Sequence, residues 1–334
     1  MFDKSLHLIP HNNEAISFFN YTHNHSNPEF TFNQKGIAFI TDSSDFSTNL
    51  RKCIEKFKNH FKNISIYDAG LTDDCSFKDI STLIQHLNQK QIIPFIIGNH
   101  VDYTGDIAAH LDSNLYHISN SINNITGNAQ YVKNNYIAYQ RHLCDLDDVL
   151  EIESVHVNSI SLGKIRSYPY LPEPVLRDCQ MLHIHLSAIR SSECPGLTDT
   201  LPTGLNIEEL CQLMKYAGTA NNLKSIFIHS GDIPADNPEA ANIIAESLWY
   251  FAEGMNLQQN FDHPYKNPDY SQFIVSNASD ADDLIFIKNN RTHRWWVNKS
   301  NNDQHEYLAC AFEEYEYALS NGEASDRISK FLSE

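Results

Sequence analysis

What most constrains this chain is a recurring short, wholly apolar run followed by a helical stripe. Gly36–Thr41 (GIAFIT) is apolar up to a polar exit, and 92–97 (IIPFII) is apolar throughout and ends at Gly98. A sheet with one wet face would interleave polar residues. Runs without any need cover on both faces, as in a parallel sheet. Between the two runs, Leu50, Cys53, Ile54, Phe57 and Phe61 fall at i, i+3, i+4, i+7 and i+11, one apolar stripe of a helix. Residues 64–68 (ISIYD) read as a second strand and 77–87 as a second helix. This strand–helix–strand alternation predicts an α/β fold with a parallel sheet and right-handed crossovers.

The same reading continues along the chain. Residues 115–122 (LYHISNSI) are read as a strand. Residues 133–154 are read as helical, with Asp145, Asp147 and Asp148 at a solvated helix start. A brief strand at 159–162 precedes GKIRSYPYLPEP, whose prolines argue against helix. Residues 181–186 form the next buried strand. Asn206 with Glu209 makes a capping box ahead of a stripe of Leu210, Leu213, Met214 and Ala217. Residues 223–229 are a strand. Asp236 with Glu239 reads as a second capping box, before a helix that buries Ile244, Leu248 and Phe251. From about residue 260 the character changes to two short hairpin strands, 273–275 and 284–287, then Trp295 and Trp296, then helix from about 304. Residues 1–35 are read as an irregular arm, and 36–334 as a single domain with a C-terminal elaboration.

A formal charge of −18 repels phosphates and argues against nucleic-acid binding. No run approaches the ~20 apolar residues of a membrane helix, and no secretory leader is evident at the start. The seven cysteines are scattered and never form a CxxC pair, which fits reduced thiols and a cytoplasmic location.

The main candidate site is the exit of strand 181–186. His183 and His185 lie two apart, so both point to one face, and ligands gather at the carboxyl ends of strands in open α/β sheets. Two readings stand. The pair holds zinc or nickel with His100, Asp102 or His229 as a third ligand; or it fills a pocket, hydrogen-bonded to Asn120 and Asn124. His100 with Asp102 is also an acid–base candidate, and Cys194 a nucleophile candidate. Arg190 either holds an anionic ligand or pairs with Glu193 or Glu173. Trp295 and Trp296 are read as packing, with exposure there pointing to a homo-oligomer.

Several segments resemble the ureohydrolase superfamily of arginase, agmatinase and formimidoylglutamase, most closely the formimidoylglutamase-like branch. LSAIRSSECPG followed by PTGLNIEELCQLMKYAG resembles the family's metal-strand loop and next helix. LGKIRSYPYLPEPVLRD, AANIIAESLWYFAEG and FIVSNASDADDLIFIKNNRTHRWW resemble further segments, in the family's order. The resemblance implies an arginase-like three-layer α/β/α sandwich with two manganese ions at the strand ends and a C-terminal hairpin and helix elaboration. It also implies a departure. The family's Gly-Gly-Asp-His falls on Gly98, Asn99, His100 and Val101. Its Asp-Ala-His-x-Asp falls on Asn120, Ser121, Ile122, Asn123 and Asn124. Its Asp-x-Asp falls on His183 and His185, and its substrate-binding glutamate near Ser230. Those positions carry no carboxylate, so the manganese pair and its hydrolysis are expected to be lost, leaving no resident cofactor. The expected roles are a binding or assembly protein, or a sensor of a small amino-acid-like ligand. The alternative is an active amidine or guanidine hydrolase with a relocated histidine-based metal site.

Overall fold

The computed structural model describes residues 35–333 apart from 43, 72–74, 99–102, 123–131, 156–157, 198, 230–232, 235, 259–267, 278–281 and 302–303. The expected arm, residues 1–35, thus lies outside the described residues save Lys35.

Eight strands form one sheet in which every pairing is parallel. They are β1 (Gly36–Thr41), β2 (Ser65–Leu71), β3 (Ile92–Gly98), β4 (Leu115–Ile118), β5 (Asn134–Tyr139), β6 (Ile160–Ser161), β7 (Met181–Ile184) and β8 (Ser225–His229). Their order across the sheet is β2-β1-β3-β8-β7-β4-β5-β6. The apolar runs are buried on both faces, as their composition requires. Ile37 and Phe39 of β1 enter one core, Ala38 and Ile40 the other.

The first core is closed by α1 (Asp45–Ile54), α6 (Pro172–Arg177), α7 (Ile207–Gly218) and α8 (Pro238–Leu257), the second by α2 (Phe77–Gln89) and α3 (Thr104–His110). Asn206 caps α7 as expected, its side chain accepting from the Glu209 amide at 2.7 Å while Glu209 accepts from the Asn206 amide at 2.8 Å. The helices α7 and α8 cross so closely at Gly218 and Gly254 that a Cβ at Gly254 would sit 2.1 Å from the Lys215 carbonyl oxygen.

Four expectations are corrected. Residues 133–154 are not one helix, because the alternating, aromatic Asn134–Tyr139 joins the sheet as β5 and only Leu146–Val155 is helical, as α4. The proline-bearing loop holds two short helices, α5 (Leu162–Ser167) and α6. Pro172 stands in the first turn of α6, where its missing N–H costs nothing. The cap of α8 is Asn237, not Asp236, and it accepts from the Ala240 amide at 2.9 Å. The C-terminal hairpin is half of a four-stranded antiparallel sheet. It comprises β9 (Tyr270–Val275), β10 (Leu284–Asn289), β11 (Trp295–Asn301) and β12 (Gln304–Cys310). Helix therefore begins not at about 304 but with α9 (Phe312–Asn321), followed by α10 (Asp326–Ser333).

Trp295 and Trp296 are buried, and Trp295 stacks on Tyr315 at 4.6 Å. The two sheets are joined through the end of α6. Arg177 donates to the carbonyls of Trp295 and Cys310 and lies over the Trp296 ring, while Asp178 accepts from the Ala309 amide. Glu173 lies within ion-pair distance of Arg177 and Arg294, at 3.4 and 3.3 Å. No described helix is long and apolar enough to cross a membrane.

Candidate functional site

The parallel register sets the site. His117 of β4 is the direct neighbour of His183 of β7, which in turn faces Phe227 of β8. Leu115, Met181 and Phe227, on the same face, belong to the second core, whereas Tyr136 belongs to a satellite cluster under α4. Between these two apolar bodies the sheet carries imidazoles. His185, two residues past His183, continues the row, its ring 4.2 Å from that of His183. The His183 ring meets the His117 ring edge-on at 5.5 Å, and His117 stacks on Tyr136 at 5.1 Å. One ligand nitrogen from each of His117, His183 and His185 lies within 4.8 Å of the others. His229, at the end of β8, stands further off, its ring 6.1 Å from His185.

All three clustered rings are buried: His183 is 0 % exposed, His117 2 % and His185 8 %. Burial opposes their protonation. It lowers His117 from 6.5 to about 4, although the hydrogen bond of His117 to the Asn134 side-chain oxygen works the other way. Burial, with the neighbouring histidines, lowers His185 to about 3 and holds His183 well below the ordinary imidazole range. The rings are therefore neutral near neutral pH and offer lone pairs. Neither ring nitrogen of His183 meets a hydrogen-bond partner, nor does Nε2 of His185. Wholly buried nitrogens left in this way are costly, and such groups ordinarily face a water or an ion.

The structure places the sequence candidates unevenly. It brings His183 and His185 together, and among the described residues His117, not His229, joins them. His100, Val101, Asp102, Asn124 and Ser230 lie outside the described residues. Asn120 accepts at Oδ1 from Ser187 at 3.2 Å. Ile122 is a core residue packed with Tyr136, Tyr139, Val149 and Ile152. Arg190 pairs with Glu193 at 2.5 Å. Cys194 is buried, and burial pushes its thiol up to about 11, the opposite of what a nucleophile needs. All seven cysteines are free.

Sequence reasoning missed His117, yet the signal was present. The strands 115–118 and 181–184 both read apolar-x-His-Ile, and two adjacent parallel strands with histidine at one register bring the rings side by side.

Three neutral imidazoles suit zinc, nickel, cobalt or copper; hard ions such as manganese prefer carboxylates. A manganese pair would bring about four positive charges, and the converging donors among the described residues supply none of the opposite sign.

No protein-family model matches the chain, and no curated protein matches its sequence. Solved structures do. The chain is similar to Trypanosoma cruzi formiminoglutamase with Mn2+ (TM-score 0.57, 11 % identity, covering 72 % of this chain and 98 % of that one). It is similar to Bacillus subtilis formimidoylglutamase (0.56, 15 %, covering 69 % and 90 %). Bacillus cereus arginase also matches (0.51, 11 %, covering 69 % and 100 %).

Proposed function

The chain has the arginase-type α/β fold, and from that premise we propose that it no longer carries out dimanganese hydrolysis. It acts instead by binding a ligand or partner through the strand ends where the resemblance puts the metals. One observation carries the reading. His183 and His185, at the positions matched to the family's Asp-x-Asp, are buried neutral imidazoles packed against each other. A bridging carboxylate at that position would offset the charge of two ions; an imidazole cannot.

The test is to supply Mn2+ to the purified protein and offer formimidoylglutamate, arginine and agmatine. The expected result is no turnover above the metal-only control and no manganese-dependent rise in melting temperature. Manganese-dependent hydrolysis of any of the three would overturn the reading. The binding role is tested by a thermal-shift screen of glutamate-like and other small amino-acid-like ligands, because a ligand of the native state must raise its stability.

A second reading, a C–N hydrolase with a histidine-based centre, is favoured by the convergence of His117 on the pair. It requires turnover that disappears in His183→Ala and His185→Ala.

A further inference from the structure

We propose that His117, His183 and His185 form a mononuclear site for a divalent ion of the zinc class, built on two neighbouring strands of the parallel sheet. The inference stands on the geometry of the cluster and holds whether or not the protein is a hydrolase.

Three observations converge. The register fixes the positions, since His117 and His183 are cross-strand partners and His185 repeats on the same face. The nitrogens already lie within 4.8 Å of one another. Around a tetrahedral zinc, with Zn–N of about 2.0–2.1 Å, imidazole nitrogens are spaced about 3.3 Å apart, so small rotations of the rings close the site. Finally, His183 has two buried nitrogens and His185 one without a hydrogen-bond partner, so the cluster is incomplete as a hydrogen-bonded core.

The surroundings also orient a ligand. The Nδ2 of Asn134 donates to the Val132 carbonyl at 3.0 Å, which turns its Oδ1 toward Nε2 of His117 at 3.1 Å. An amide oxygen only accepts, so Nε2 of His117 carries the proton and Nδ1 carries the lone pair. A second-layer acceptor of this kind sets the tautomer and ring orientation of metal-bound histidines. Three neutral donors leave the ion's charge uncompensated, and a fourth position filled by hydroxide or an anionic ligand reduces it. The expected occupant of that position is a small molecule with an anionic or easily deprotonated donor.

The test uses the full chain without an affinity tag of histidines, stripped with chelator and titrated with Co2+ and Zn2+. The expected result is one ion per chain, with Co2+ giving the intense visible absorption of a four-coordinate site and X-ray absorption showing three imidazoles. His117→Gln and His183→Gln should abolish that spectrum. Asn134→Ala should weaken Co2+ binding by about 10–100-fold while leaving the far-ultraviolet circular dichroism unchanged. Absence of stoichiometric binding by the wild-type chain overturns the proposal, as does a Co2+ spectrum that survives in a folded His183→Gln variant. If the variants fail to fold, the wild-type X-ray absorption decides, and a shell with fewer than three imidazoles overturns it. Failure of the manganese assays bears only on hydrolysis, because this titration reads the ion directly.

Discussion

At the scale of single residues, the molecule contrasts two ways of burying charge-capable groups. Arg51 and Asp68 are paired: Nε donates to Oδ2 at 2.8 Å and Nη2 to Oδ1 at 3.0 Å, with further bonds from the guanidinium to Thr41 and the Gly70 carbonyl. Removing one partner of such a pair leaves a buried, uncompensated charge, so Asp68→Ala should cost about 3–5 kcal/mol in denaturant unfolding. The histidine cluster is instead kept neutral. Folded, His117 titrates at about 4 and His185 at about 3, with His183 also well below 6.5. As pH falls the unfolded chain takes up protons first. Stability is thus fully present above the unfolded value of 6.5 and drains as pH drops toward the folded values. For chelator-treated protein, the unfolding free energy from urea melts should fall between about pH 7 and about pH 5, by up to roughly 1.4 kcal/mol per pH unit for each histidine, and the midpoint with it. A flat midpoint across that interval would contradict the burial of neutral rings. What sequence revealed at this scale followed periodicity. His183 and His185 share a face because strand side chains alternate, so their pairing was legible. His117 was not singled out because strand order is a tertiary fact, and β5 and β6 separate β4 from β7 along the chain.

At the scale of elements, local chemistry was most legible where it closes on itself. The capping box of Asn206 and Glu209 joins residues three apart and is readable from that spacing, although Glu209 also accepts from Arg166 at 2.9 and 3.1 Å. Asn206→Ala should lower stability by about 1 kcal/mol, measured by thermal or urea unfolding. The sequence puts the α8 cap one residue early because Asp236 and Asn237 are both good caps; Asn237 is the one that is buried and also donates to the Pro195 carbonyl at 3.1 Å. The strand Asn134–Tyr139 does not read as a strand because its polar start and single alanine weaken the apolar signal, while its sheet neighbours supply the missing cover. The α7–α8 crossing was invisible in sequence: Gly218 and Gly254 are ordinary helix interruptions until the two backbones meet. With the Lys215 carbonyl oxygen 2.1 Å from any Cβ at Gly254, Gly254→Ala must push the helices apart. A loss of about 1–3 kcal/mol is expected despite alanine's better helix propensity, and a stabilised variant would refute the close approach.

At the scale of the whole molecule, the segments PEPVLRD and RTHRWW, distant in sequence, meet as the joint between the two sheets. Arg177 is buried and serves both sides of it, holding the carbonyls of Trp295 and Cys310 from a helix of the parallel layer. Arg327 reinforces the joint from α10, donating to Asn158 and to the Ala309 carbonyl. Arg177→Met would remove both hydrogen bonds that this charged donor gives to those carbonyls, at about 1.5–3 kcal/mol each. The loss should fall on the second sheet first. Its tryptophans, Trp295 and Trp296, should report unfolding at lower urea than the far-ultraviolet circular dichroism of the helices, whereas coincident curves would show that the two sheets unfold as one unit. The parallel sheet and its flanking helices were legible from apolar runs and stripes. The antiparallel sheet was only half legible, because β11 and β12 are polar along much of their length and gain their cover from α9 and α10.

The position of β8 carries a consequence for how the chain is made. Spatially it lies between β3 and β7, yet it is the last of the eight parallel strands to be synthesised. Until Ser225–His229 leaves the ribosome, β2-β1-β3 and β7-β4-β5-β6 are two separate half-sheets, each ending in an unpaired apolar edge. Exposed edges of that kind recruit other strands. A nascent chain stalled before β8 therefore leaves both edges open, and completion of the sheet is an event of the last third of translation.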